Sequence, residues 1–168
     1  ETESDSNTFA SLIALRKLLE EKKLKHIVSF HNTIQRAKDF KDLNINASLL
    51  DLNLKNLSCF HVSSADNSGE RAAVMERFVE TEPSLITNAR CLSEGVDIPA
   101  IDAVLFSDPK HSTIDIVEAV GRALRIYPEK SFGYIILPIV INDGLENQSY
   151  EAFDQFIRII SALGFSDD

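Results

Sequence analysis

Short apolar runs alternate with amphipathic stretches along almost the whole chain, and this alternation limits the available folds more than any single residue does. The runs at 26–30, 59–63, 84–88 and 103–107 have strand length. The stretches between them have helical periodicity. Apolar residues recur at 9, 12, 13, 15, 18 and 19, and again as Ile34, Ala37, Phe40 and Leu43, which predicts helices over 9–19 and 33–43. Further helices are expected at 70–80, 113–126 and 150–163. Strands and helices in strict alternation imply a parallel sheet with right-handed crossovers and helices on both faces, an α/β sandwich of three layers. The Asn- and Leu-rich stretch 44–58 reads as a loop with one helical turn. Pro138, inside the apolar run 133–141, marks a strand end or a sheet edge. Residues 1–8 read as a linker stub and 9–168 as one domain.

In a parallel sheet of this kind ligands collect beyond the carboxyl ends of the strands. The loops after Phe30, Ser63, Asn88 and Ser107 therefore share one rim. Two segments near that rim carry chemistry. The first, 87–99, follows a strand and contains Gly95, which permits close backbone approach, and Asp97, an acceptor for a sugar hydroxyl or a neighbouring cation. The second runs from Glu118 through Gly121 to Arg122 and Arg125, with the two arginines on one helix face. Such a helix can present two fixed positive charges to one phosphate. Together the segments suggest a nucleotide clamp.

These residues carry a resemblance. Leu92 to Pro99 and Gly121 to Arg125 resemble motifs V and VI of superfamily 2 helicases and translocases, in wording closest to the DEAD/DEAH-type helicase subunits of restriction systems. Residues 26–40 resemble the motif IV strand and its helix, and 61–78 the strand, loop and helix that precede motif V. The likeness is weakest at 44–58 and beyond Asn142.

The resemblance implies a RecA-like domain, the second of two that hold ATP between them. Arg122 and Arg125 would be the arginine fingers, a role that contributes ~10³ to 10⁵ in rate in phosphoryl transfer. Gly95, Asp97, Glu118 and Gly121 would lie at the nucleotide. Gly121 inside a helix costs about 1 kcal/mol relative to alanine, so close packing against the motif V loop or a partner domain is expected there. Glu118 departs from the family pattern, which has glutamine. An ionised carboxylate only accepts, and at this spacing it can hold Arg122 back in an i,i+4 pair. For nucleic acid the resemblance points to Phe30, His31, Ser63, Thr87 and Asn88, with Ser29 and Ser64, as sequence-independent contacts to the phosphate backbone. Arg71 and Arg77 could sit over the strand track, although a solvated helix face is the ordinary reading. Taken singly, every one of these residues has a plain alternative: paired arginines are usually a solvated face, and Gly-x-Asp-x-Pro a turn. Their joint order carries the inference.

The chain contains neither a Gly-x-x-x-x-Gly-Lys-[Ser/Thr] loop nor an acidic magnesium pair after a strand. ATP and Mg²⁺ would then be held mainly by a preceding N-terminal RecA-like domain, and these 168 residues alone are expected to be inactive. A net charge of −9 removes long-range attraction to nucleic acid, so binding depends on local donors. DNA is the expected substrate. An RNA helicase is disfavoured because motif V lacks the Ala-Arg-Gly-x-Asp form, and a degenerate half acting as an interaction module is the alternative from another class. Cys59 and Cys91 fit no metal spacing and read as reduced core thiols of a cytoplasmic protein. No run of about 18 apolar residues exists to cross a membrane.

Overall fold

The computed structural model describes residues 2–51, 54–89, 101–108, 116–117, 121, 133–138, 154, 157–158 and 161. The elements in chain order are α1 (Thr2–Glu21), β1 (His26–Phe30), α2 (Ile34–Leu50), β2 (Ser58–Ser63), α3 (Ser68–Glu80), β3 (Ser84–Ala89), β4 (Ala103–Phe106) and β5 (Tyr134–Ile136). Ile116, Val117, Gly121, Asp154, Ile157, Arg158 and Ser161 are also helical. The strands form one sheet in the order β2-β3-β1-β4-β5. Every pairing in it is parallel, with Phe30 opposite both Asn88 and Phe106.

Side chains alternate across the strands, and this divides the core in two. Val28, Phe30, Ile86, Val104 and Phe106 point to one face, where Phe78 of α3 and Ile116 cover them. Ile27, Leu85, Ala103 and Leu105 point to the other, beneath Leu12, Leu15 and Leu19 of α1 and Phe40 of α2. The three-layer α/β fold expected from the alternation is therefore the fold observed. Among the described residues, β5 stops at Ile136, two residues before Pro138, and lies at the sheet edge.

Local chemistry sets the helix starts. Thr33 caps α2 by accepting from Arg36 N at 3.1 Å. Asn67 and Glu70 form a reciprocal capping box on α3.

Three expectations change. The segment 1–8 is helical from Thr2 onward. The apolar residues of α1 do not form one buried face: Phe9 and Ile13 are more than half exposed, while polar Ser11 and Arg16 are buried. The stretch 44–58 is not chiefly loop, because α2 continues to Leu50. The cause is tertiary. Asn44 is fully buried, its Nδ2 donates to Phe40 O at 2.9 Å, and its side-chain and main-chain oxygens both accept from Arg16. An asparagine that would favour a turn in isolation is thereby held inside a helix.

Candidate nucleotide and nucleic-acid interface

The carboxyl ends of β1, β2, β3 and β4 form a rim of polar groups, mostly committed to one another. Ser29 Oγ lies 2.9 Å from His31 Nε2, and His31 N donates to Asn88 O at 3.0 Å. The His31 ring packs on Phe40 with centroids 5.1 Å apart. Asn88 Nδ2 donates to Ser29 O at 2.9 Å, and its buried Oδ1 has no hydrogen-bond partner among the described residues. His61 Nδ1 meets Thr87 Oγ1 at 3.0 Å, and its buried Nε2 likewise has none among the described residues. At the end of β2 the Ser63 amide donates to Asp66 Oδ2 at 2.7 Å, which closes a tight turn beneath α3.

Of the residues expected to touch nucleic acid, Ser29, Phe30, His31, Ser63, Thr87 and Asn88 are all buried, whereas Ser64 is exposed. Phe30 stacks on Phe106 within the core, with centroids 5.4 Å apart. These side chains shape the rim from beneath, and the exposed surface at the end of β2 is the turn Ser64, Ala65, Asn67 and Ser68. The Arg77 guanidinium lies over the Phe60 ring, 5.4 Å from its centroid, rather than over a track at the strand ends.

Gly121 is helical and exposed, and a methyl group added to it would meet nothing within 4 Å among the described residues. Among the described residues, no packing accounts for the glycine. Gly95, Asp97, Glu118, Arg122 and Arg125 lie outside the described residues, as does Cys91. Cys59 is partly buried and burial pushes its thiol up to about 11, so it is protonated at neutral pH.

The sequence reading missed one polar junction at the rim. Asp108, 1 % exposed, follows β4 and accepts from Asn32 N at 2.8 Å through Oδ2, while Oδ1 is ion-paired with Arg36 Nη2. Ser107 donates its amide to Phe30 O at 3.2 Å and places its hydroxyl 3.1 Å from that of Ser11. This junction lies between β1, whose following helix covers one face, and β4, whose following helical residue Ile116 packs on the other. In parallel α/β sheets such a divergence marks the switch point where ligands characteristically bind. The only local signal was a single acidic residue ahead of Pro109, which periodicity does not distinguish from a turn.

Burial lowers the His61 pKa, with Asp66 raising it and Lys38 and Lys41 lowering it further. The imidazole thus protonates more readily in the unfolded chain, near pH ~6.5, than in the folded one. Its contribution to stability is present above that value and is lost as pH falls through the folded pKa. Thermal melts between about pH 7 and 5 should show a steeper loss for the native chain than for His61→Gln. Parallel profiles would contradict the assignment.

Among the described residues no helix is long and apolar enough to cross a membrane. The helicase conserved C-terminal domain family matches residues 10–127. A probable helicase of African swine fever virus is 29% identical over 160 residues, covering 93% of this chain and 17% of the viral protein. A putative ATP-dependent helicase of Saccharomyces cerevisiae is 29% identical over 111 residues, covering 66% of this chain and 14% of the yeast protein. The ATP-dependent Type ISP restriction-modification enzyme LlaBIII, solved bound to DNA, superposes with a TM-score of 0.69 at 26% identity, covering 98% of this chain and 13% of that enzyme. Domain 2 of the DEAD-box helicase Mss116p superposes over 95% of this chain and 69% of that one with a TM-score of 0.62 at 15% identity, a likeness of fold. The chain thus spans less than a fifth of the length of the viral and yeast relatives. With its parallel sheet and a family match over well over half its length, the chain belongs to the helicase conserved C-terminal domain family, the second RecA-like domain of superfamily 2 helicases.

Proposed function

We propose that this chain is the second motor domain of an ATP-dependent DNA helicase or translocase. It brings Arg122 and Arg125 to an ATP site whose triphosphate cradle and Mg²⁺ are held by an N-terminal RecA-like domain of the same parent. The observation that carries the proposal is Gly121: helical, exposed, and with nothing among the described residues within 4 Å of an added methyl, one residue before Arg122 in sequence. A glycine costs helix stability, and one that packs against nothing among the described residues is accounted for in this reading by close approach of a second domain. Closure of the two domains then places guanidinium groups beside the γ-phosphoryl oxygens, where charge spreads in the transition state.

In this reading the Gly95–Asp97 segment meets the nucleotide sugar or orients a finger arginine, and Glu118 restrains Arg122 until closure. Nucleic acid runs along the rim above β1, β2 and β3, held by exposed Ser64 and by backbone groups that the buried residues Phe30, His31, Ser63, Thr87 and Asn88 position. DNA is favoured over RNA by the wording of motif V and by the likeness to a DNA-bound restriction-modification enzyme.

The test is ATP hydrolysis. These 168 residues alone should hydrolyse no measurable ATP, whereas the full-length parent should do so with stimulation by DNA exceeding that by RNA. Robust turnover by the isolated domain would overturn the shared-site reading, and a full-length protein without ATPase would favour the interaction module.

A further inference from the structure

β2 stands at the edge of the sheet, and among the described residues no strand pairs with its outer side. Ser58 donates its amide to Pro83 O at 3.1 Å, on the β3 side. Main-chain groups alternate in direction along a strand, so those of Ser58, Phe60 and Val62 turn toward β3 and those of Cys59, His61 and Ser63 turn outward. Asp66 takes the Ser63 amide at 2.7 Å. The amides and carbonyls of Cys59 and His61 thus face the open side. Edge strands are ordinarily guarded by charge, proline or a bulge, yet Ser58–Ser63 contains no Asp, Glu, Lys, Arg or Pro and keeps an unbroken register with β3.

The walls on either side of this edge carry cations, although the chain as a whole has a net charge of −9. On one side α2 packs over β2 and β3. Its residues Lys38, Lys41 and Ile45 recur at three- and four-residue steps along one flank, while Leu43 and Ala47 on the other flank pack against the core cluster that holds Leu12 and Leu15 of α1. Lys38 and Lys41 lower the His61 pKa and Lys41 lowers that of Cys59, so both ammonium groups act on the residues whose main chain faces outward. Ile45 is 36 % exposed on the same flank. On the opposite face of the sheet the exposed Arg77 of α3 lies over the half-buried Phe60 ring.

We propose that the open edge of β2 is a docking site for an extended acidic segment of a partner protein, which adds to the sheet as a strand. Its main chain bonds the free groups of Cys59 and His61, and its alternating side chains set carboxylates against Lys38 and Lys41 and an apolar group against Ile45 or Phe60. Main-chain pairing supplies affinity and the flanking cations select the partner. A phosphate backbone fits less well, because it offers no donor to the outward carbonyls of Cys59 and His61. A second copy paired edge to edge would set the two lysine flanks together, and like charges so placed oppose association.

The experiment titrates the 168-residue chain into a fluorescent peptide in which Glu and Val alternate over about six residues, the length of a typical strand, and reads anisotropy. Saturable binding is expected, with the matching peptide of alternating Lys and Val weaker by about tenfold or more. Lys38→Glu combined with Lys41→Glu should weaken the acidic peptide by a similar factor. At saturation, amide hydrogen exchange at Cys59 and His61 should slow by about tenfold or more, while Phe60 and Val62, already bonded to β3, change little. The exchange readout uses the native chain, so it stands even if the double substitution fails to fold. Absence of binding up to about 1 mM peptide overturns the proposal. So does binding that leaves exchange at Cys59 and His61 unchanged or that survives the double substitution, since the peptide then sits elsewhere. Protection of the same two amides by single-stranded oligothymidylate and not by the acidic peptide would make the edge a nucleic-acid surface. Their protection by dimerisation of the chain alone would make the occupant a second copy. Either result overturns the proposal.

Discussion

Replacing Arg122 or Arg125 by alanine in the full-length parent is expected to lower DNA-stimulated ATP hydrolysis by ~10³ to 10⁵-fold at saturating nucleotide. The size of the effect follows from where the charge forms. In the loose transition state of phosphoryl transfer, negative charge is spread over the equatorial γ-oxygens, and a guanidinium aimed there stabilises the transition state more than bound ATP. The loss should therefore fall on kcat, with KM for ATP little altered. Arg122→Lys should recover only part of the rate, because an ammonium supplies charge without the planar fork that spans two oxygens. Near-normal rates in both alanine variants would refute the finger assignment. A rise in KM with kcat intact would recast the arginines as ground-state binding residues.

The largest stability effect is expected at Arg16, far from the rim. Its buried guanidinium donates to Asn44 Oδ1 at 3.2 Å, Asn44 O at 2.7 Å, Ser48 Oγ at 2.8 Å and Lys55 O at 2.9 Å, joining α1 to α2 and to the segment leading into β2. Arg16→Met fills much the same space but leaves several of these acceptors unpaired. Each buried group left unsatisfied costs ~1–3 kcal/mol, so a total of about 3 kcal/mol or more is expected. For a domain of this size that lowers the melting temperature by roughly 6–12 °C. Lys17→Met, at the exposed neighbouring position, is the control and should change stability by no more than about 0.5 kcal/mol. Equal melting temperatures for the two variants would show that water replaces the network without loss.

Much of the fold was legible because its signals are local. Strand runs such as 26–30 and 84–88 are short, apolar and bounded, and the structure places them within a residue of the expected limits. The helix from Glu70 begins two residues earlier, at Ser68, because the cap is Asn67, paired with Glu70. Motif wording pointed to the family without any knowledge of packing. The rim residues were harder. Ser29, Thr87 and Asn88 lie at strand ends as expected, yet their side chains turn inward, since parity along a strand sets which face a residue joins but not what waits there.

What the sequence alone determined is the alternation of strand and helix, hence the parallel α/β sheet, and the order of residues that marks the helicase family. Periodicity and turn chemistry act over a few residues, so they survive reading one window at a time. Only the tertiary structure decided that α2 runs through Asn44 to Leu50, that Phe9 and Ile13 face outward while Arg16 goes in, and that Asp108 holds the loop after β1. In each case a buried polar group needed a partner from distant chain: Arg16 bonds Asn44 across 28 residues, and Asp108 bonds Asn32 across 76. The cost of burying an unpaired polar group is what selects such arrangements, and the partner that removes it is fixed by topology rather than by neighbours in sequence.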